Sequence, residues 1–178
     1  NEYTVTVEHY YMDTAGNYPD KPSVAEALTP YYGETLVHKN LAREIKGLSF
    51  NENKTIQENG NRTQTEVKGN TTVRLYYDRT VCTVTYDYRT NGGTSADKET
   101  VKTYYGADAD LSVAAYKNGW EHAGWNTKSD SETGLTRYTV TGNVTLYAVY
   151  RKDITVTFVD FAQTYKTVSY THLTLPTS

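Results

Sequence analysis

The side chains that most often carry enzymatic chemistry are few here and are not spaced for it. The single cysteine, Cys82, has no nucleophile signature around it and is predicted to be a small packing residue. No Gly-rich phosphate loop, G-x-S-x-G elbow or H-E-x-x-H helix occurs. We therefore expect no enzyme activity, no metal and no cofactor. The four histidines share no metal-ligand spacing and are expected at surface or partly buried positions: His9, His38, His122 and His172.

Two pairs of carboxylates offer the oxygen ligands that calcium prefers, Asp108 with Asp110 and Asp130 with Glu132. Neither pair has the alternating pattern of a recognised calcium loop. Helix capping by Asp110 and a solvated hairpin tip at the second pair are the favoured interpretations. A Lys–Asn isopeptide crosslink stays an alternative, which needs a buried lysine, asparagine and acid together. Four Asn-x-Thr sequons are interpreted as incidental: Asn53, Asn61, Asn70 and Asn143.

Aromatic side chains are the better candidates for ligand contact. Indole faces stack on the apolar faces of sugars, and exposed tyrosine is enriched at recognition surfaces. The alternative is that these rings fill the core of a small domain that has few Leu and Phe. The candidate ligand contacts are Trp120, Tyr31, Tyr32, Tyr104 and Tyr105.

The composition around these residues favours strands. Tyrosine occurs 18 times and aromatics reach 13%, and such side chains suit a pleated, half-buried surface. The net charge of −3 has its signs interspersed, so nucleic acid is not expected as a partner. No apolar run is long enough to span a bilayer.

An internal repeat organises the chain. The tripeptide YYG at 31–33 recurs at 104–106, and the glycine at position 69 recurs at 142, in both cases 73 positions later. Segments beginning at Tyr3, Cys82 and Ile154 share an alternation of threonine with apolar residues, which is the period-2 pattern of a strand. The repeat predicts a first module at 1–79, a second at 80–153 and the start of a truncated third at 154–167.

Each module is predicted to contain a β-hairpin, an irregular middle and a closing strand. In the second module, the hairpin strands are Thr83–Tyr88 and Glu99–Tyr105. The closing strand is Val144–Tyr150, whose alternation places Val144 and Leu146 on one face.

A short helix is predicted in each module. One spans Leu41–Ile45, and the other spans Leu111–Lys117, is capped by Asp110 and ends at Asn118-Gly119. The predicted fold class is therefore α+β and β-rich, with tandem small β-grasp-like modules in an elongated array.

The two modules resemble two related families of bacterial surface repeats. Module two is similar to the Listeria–Bacteroides repeat of internalin-type proteins, through VTYDYRTNGG, KNGWEHAGW and VTGNVTLYAVY. Module one is similar to the mucin-binding-protein domain, through VTVEHYYMDTAGN and VKGNTTVRLYYDR. The resemblance implies β-grasp-like modules of secreted, wall-attached adhesins, without enzyme activity. It also implies a structural core that contains Trp125, Gly124, Gly119, Leu146 and Val144.

The last residues break the repeat. Read back through the genetic code, VSYTHLTLPT fits the bases of a transposon-end adapter used in DNA library preparation. We expect 168–178 to be a non-biological tail, the alternative being a genuine variant strand. With a third repeat cut short and no signal segment before Asn1, the chain is expected to be a fragment of a longer protein.

The leading functional hypothesis is a stalk or spacer in bacterial adhesion, because repeated units without reactive groups need only fold and extend. One alternative is a module that itself binds host mucin, glycans or surface proteins. A second alternative is an accessory region of a secreted enzyme. The expected location is the bacterial cell surface, attached to the wall. The short junction at 77–80 predicts limited freedom between modules.

Overall fold

The alternation of threonine and apolar residues produces strands in the computed structural model, which describes residues 1–96, 99–155 and 167–170. The chain forms two compact units. The first comprises Asn1–Val81 together with Tyr104–Ala107, and the second comprises Cys82–Thr103 and the chain from Asp108 onward. The division therefore falls close to the predicted boundary between residues 79 and 80. Within the described residues, no helix is long and apolar enough to cross a membrane.

The first unit is a four-stranded mixed sheet with a small two-stranded antiparallel sheet beside it in the same unit. The order in the main sheet is β2-β1-β6-β4, in which β1 runs parallel to β6 and antiparallel to β2, and β4 runs antiparallel to β6. Strands β3 and β5 form the accessory pair. The strands are β1 (Val5–Tyr11), β2 (Val24–Leu28), β3 (Thr35–Val37), β4 (Leu48–Phe50), β5 (Gln64–Glu66) and β6 (Thr71–Arg79), with a 3₁₀ turn at His38–Leu41 and helix α1 at Glu52–Glu58.

The core of the first unit lies on one face of the β1–β6 pair. Because successive side chains of a strand point to opposite faces, alternate positions of both strands are buried together. Tyr10 and Tyr76 stack on the other face with ring centroids 4.8 Å apart. The fully buried core residues are Val5, Val7, Val67, Val73, Leu75 and Tyr77.

The second unit repeats this sheet order. Its main sheet runs β9-β7-β12-β11, with β7 parallel to β12 and β11 antiparallel to β12. The first strand of each unit, β1 or β7, thus lies in parallel beside the closing strand of its repeat, β6 or β12, at the centre of the sheet. The strands are β7 (Val81–Asp87), β8 (Ser95–Ala96), β9 (Thr100–Tyr104), β10 (Ala115–Tyr116), β11 (Glu121–Asn126), β12 (Val144–Thr155) and β13 (Thr167–Tyr170).

Both helix predictions were wrong. In the second unit, Asp110 Oδ1 accepts hydrogen bonds from Ser112 N and Ser112 Oγ, which closes a turn and not a helix. The chain then continues into β10, and Asn118-Gly119 lies in the tight turn that leads to β11. In the first unit, the helix forms at Glu52–Glu58 because Asn51 caps it through Lys54 N.

The predicted third repeat begins within a strand, since β12 runs on to Thr155. The last residues of β12, Lys152–Thr155, pair antiparallel with β13, Thr167–Tyr170. The other residues of the third repeat and of the proposed adapter tail, 156–166 and 171–178, lie outside the described residues. The origin of the tail stays a prediction.

Candidate functional site

The most exposed aromatic pair of the first unit is Tyr31 and Tyr32, with 63% and 61% of their surfaces exposed. A tight turn presents them: Glu34 N donates to Tyr31 O, and Gly33 takes the positive φ of +84° that this turn needs. Gly33 N also donates to Val67 O at 2.7 Å, which fastens the turn to the buried core. Two predicted ligand contacts are therefore held outward on a fixed backbone.

A polar depression of about 610 Å³ also lies on the first unit. Lys68 on its rim pairs with Glu66 at 2.9 Å, and this hydrogen bond raises the pKa of the Lys68 ammonium. A surface of this kind offers hydrogen bonds to a polar ligand but no enclosed chamber for a reaction. Its lining residues are Asn61, Arg62, Thr63, Gln64, Glu66 and Lys68.

The equivalent pair Tyr104 and Tyr105 is half-buried. Its segment clusters with the first unit, where Tyr105 N donates to Thr80 O at 2.8 Å and Arg79 Nη1 donates to Tyr105 O at 3.0 Å. The repeat in sequence therefore does not produce equal exposure, and the second pair offers less surface to a ligand.

Trp120, the predicted sugar-stacking residue, is half-buried, and its ring is already covered in part. Lys117 Nζ lies 4.1 Å from the centroid of that ring, which is cation–π distance. Burial lowers the pKa of the Lys117 ammonium. A sugar would have to displace this lysine or use the opposite face of the indole.

Trp125 is fully buried and is the centre of the second unit's core. Its indole N–H donates to Val113 O at 2.7 Å, and its ring meets those of Tyr86 and His122 edge-on at 5.0 Å and 5.1 Å. Among the other residues assigned to this core, Leu146 is fully buried, whereas Val144 is half-buried.

The two glycines assigned to the core have conformational roles. Gly119 is exposed in the turn before β11 with φ of +73°, so its assignment to the core is corrected. Gly124 has φ of +117° at a bulge in β11, and a Cβ there would lie 3.1 Å from Gly134 Cα. Gly124 therefore permits a close backbone approach that a side chain would block.

His9 and His38 are more buried than the sequence predicts, whereas His122 is partly buried as expected. His9 has no exposed surface: its Nε2 donates to Glu26 Oε1 at 3.0 Å, and its Nδ1 forms a hydrogen bond of 2.8 Å with Tyr77 Oη. The hydrogen bond from His9 is the main reason that the pKa of the Glu26 carboxyl is lowered. Since Arg43 N donates to Tyr77 Oη at 3.1 Å, these groups form one chain of hydrogen bonds. This chain of hydrogen bonds can hold the sheet together.

The remaining titratable candidates lie apart from one another. His38 is 2% exposed with Nε2 against Thr65 Oγ1, and Cys82 is buried as predicted. Asp108 binds Arg137 and Thr139, both at 2.8 Å, and these hydrogen bonds lower the pKa of its carboxyl. Within the described ranges, no three His, Cys, Asp or Glu side chains gather as a metal site. His172 lies outside the described residues.

Sequence reasoning missed the role of two asparagines. Asn70 Oδ1 accepts from Thr4 N at 2.9 Å, and Asn143 Oδ1 accepts from Thr83 N at 2.8 Å. Each asparagine stands just before the closing strand and fastens the opening strand beside it. The signal was present in the sequence, because both follow a glycine of the repeat, yet they were interpreted only as incidental sequons.

The fold and these sites define a β-rich tandem-repeat protein. Residues 83–149 match the family model of the Listeria-Bacteroides repeat domain, which covers nearly all of the predicted second module. This repeat is found in bacterial surface proteins. The resemblance of module two is thereby confirmed, whereas that of module one to the mucin-binding-protein domain stays a prediction. No curated protein matches the chain.

Proposed function

We propose that this chain is a non-catalytic repeat region of a bacterial cell-surface protein, in which β-grasp-like modules form an elongated stalk in adhesion. The observation that carries the proposal is the shared sheet order of the two units, with the opening and closing strands of each repeat parallel at the centre and one asparagine fastening each pair. Repeated self-contained units extend a chain without needing a reactive group. The match to a surface-protein repeat supports the location, and wall attachment is part of the proposal.

Small-angle scattering from the intact chain tests the stalk. An elongated particle, together with failure to bind host mucin or glycans, supports it. A compact particle would contradict the stalk, because folded-back modules cannot act as a spacer. A chain with a flexible Gly-Ser insertion after Thr80 is the matched control, since the insertion lengthens the covalent connection between β6 and β7.

The exposure of Tyr31 and Tyr32 favours a second candidate function, recognition of a host glycan or surface protein by the first module. Two exposed tyrosine rings on a fixed backbone offer contact area to a ligand at a low cost in conformational entropy. The experiment is a glycan and mucin binding assay on the intact chain. We expect Tyr31→Ala with Tyr32→Ala to abolish binding, and the control Tyr116→Ala, which removes a ring that is 54% exposed in the second unit, to leave it unchanged. Equal loss in both variants would contradict recognition at this pair.

A further inference from the structure

The chain contains three asparagine–glycine steps, at Asn59-Gly60, Asn91-Gly92 and Asn118-Gly119. Such a step can rearrange without a catalyst, because glycine carries no side chain to hinder its backbone nitrogen from reaching the preceding side-chain amide. The rearrangement requires a mobile asparagine side chain and an available glycine N–H. The structure constrains these two groups very differently at the three steps.

At the first step, both reacting groups are held. Asn59 Nδ2 donates to Thr55 O and Arg74 O, both at 2.6 Å, and Asn59 Oδ1 accepts from Arg74 N at 3.0 Å. Gly60 N donates to Gln57 O at 3.3 Å. The asparagine is half-buried between α1 and β6. Rearrangement here would break several hydrogen bonds at once.

The second step is held in the same manner by different partners. Asn91 Nδ2 donates to Ser129 O at 2.9 Å and to Ala148 O at 2.8 Å. Gly92 N donates to Arg89 O at 2.8 Å. This asparagine is also half-buried, so the attacking nitrogen and the amide carbon are both restrained.

The third step lies open on the surface of the second unit. Asn118 is exposed, and its side chain has one long contact, from Tyr116 Oη to Asn118 Oδ1 at 3.4 Å. Gly119 is exposed too, and its N–H forms no hydrogen bond within the part of the chain that the structure describes. The turn itself is closed one residue later, by Trp120 N donating to Lys117 O at 3.0 Å. Neither reacting group is restrained.

We propose that Asn118 is a site of spontaneous deamidation. Gly119 N attacks Asn118 Cγ and loses its proton, the bond from Cγ to Nδ2 breaks, and ammonia leaves. The resulting cyclic imide is opened by water at either carbonyl, which gives aspartate or isoaspartate at position 118. One water is consumed and one ammonia released, so the step needs no oxidant and no enzyme.

The modification alters the turn between β10 and β11. Either product places a new carboxylate in the turn that carries Lys117, whose ammonium lies over the Trp120 ring. Isoaspartate also inserts an extra methylene into the backbone of a two-residue turn, which opposes the backbone bridge between Lys117 and Trp120. We therefore expect the fluorescence of Trp120 to change as the reaction proceeds.

Peptide mapping by mass spectrometry tests the proposal on the intact chain, with the other two steps as internal controls. The folded chain is incubated at mildly alkaline pH, digested at acidic pH and compared with chain kept in denaturant. In the folded chain we expect Asn118 to deamidate at least about tenfold faster than Asn59 or Asn91, whose reaction requires local opening. In denaturant the three rates should become similar.

The fluorescence change is checked with Asn118→Gln, which removes the fast reaction and keeps an amide in the turn. Equal rates at the three steps in the folded chain would overturn the proposal. The proposal would also be overturned if Asn118 remained unmodified in the folded chain after the same residue had deamidated in the denatured chain.

Discussion

The side-chain amides of Asn70 and Asn143 act as acceptors for the opening strand of each unit. A carboxamide carries the same donor and acceptor as a peptide group, so it can stand in for a neighbouring strand where the chain has none. Asn51, Asn59 and Asn91 also hydrogen-bond backbone groups in this structure. Part of the polar composition therefore consists of asparagines whose side chains stabilise the fold by hydrogen-bonding backbone groups.

Replacing either repeat asparagine should destabilise its own unit. We expect Asn143→Ala to lower the free energy of unfolding of the second unit by about 1 kcal/mol, because Thr83 N loses its partner at an exposed site. Urea unfolding followed by tryptophan fluorescence measures it, since both tryptophans lie in that unit. Asn70→Ala should have a similar effect on the first unit, measured by circular dichroism.

The control for both asparagines is Asn53→Ala. Asn53 begins another sequon but is exposed and has no hydrogen bond of its side chain in the described residues. A loss as large in the control as in Asn143→Ala would show that the acceptor role is unimportant.

Burial of His38 predicts acid sensitivity of the first unit. Burial lowers the pKa of its imidazole, so the folded state favours the neutral form while the unfolded chain protonates near the ordinary pKa of about 6.5. The stability contributed by the neutral form is present above that pH and is lost as pH falls below it. Hydrogen exchange of core amides such as Val73 at neutral and mildly acidic pH measures this slope. In His38→Phe the slope should become shallower, and an unchanged slope would contradict the prediction.

The outer edges of β6 and β12 show how different elements complete the same sheet. In the second unit, β11 pairs with β12 from Glu121 to Asn126. In the first unit, β4 pairs with only three residues of β6, and α1 covers the rest of the edge. Thr55 Oγ1 accepts from Tyr76 N at 3.0 Å, so a helix side chain replaces a strand carbonyl. With the repeat offset of 73 positions, Trp125 of β11 aligns with Glu52, the first residue of α1, so the first unit carries helix and not strand at this edge.

Thr55→Val should therefore destabilise the first unit. The variant keeps the shape of a buried side chain but leaves Tyr76 N without an acceptor, which costs about 1–3 kcal/mol. Chemical denaturation followed by circular dichroism gives the change. Gln57→Ala on the exposed side of α1 is the control and should cost little. Similar losses in the two variants would mean that helix propensity, and not the hydrogen bond, matters at this edge.

The bulge in β11 depends on glycine. Gly124→Ala should destabilise the second unit by about 1–3 kcal/mol, because the backbone has φ of +117° and the new Cβ would crowd Gly134. Gly142→Ala is the matched control: nothing lies within 4 Å of its Cβ position, and its φ is not positive. Thermal unfolding by tryptophan fluorescence compares them. A larger effect at Gly142 would refute this explanation of the bulge.

At the scale of the whole molecule, a single residue, Thr80, separates β6 from β7, and the later segment Tyr104–Ala107 also clusters with the first unit. A connection this short leaves little slack, so we expect limited freedom between the modules. NMR relaxation of backbone amides in both units should give one common rotational correlation time. Separate correlation times would contradict the expectation.

The sequence by itself determined the repeat, the opening and closing strands and the common face of Val144 and Leu146, because period-2 alternation and repeat spacing are properties of neighbouring residues. Predicted and observed strands overlap in the second module, for example Val144–Tyr150 within β12.

Only the tertiary structure decided which strands pair, where the helix forms and which polar side chains are buried. The parallel pairing of Val5 with Thr71, and the contact of His9 with Tyr77, join residues more than 60 positions apart. Such partners cannot be deduced from local alternation, because a half-buried strand accepts any neighbour that satisfies its backbone and its apolar face. The equivalent tyrosine pairs, Tyr31 with Tyr32 and Tyr104 with Tyr105, also differ in exposure, because exposure depends on which other segments pack against each pair.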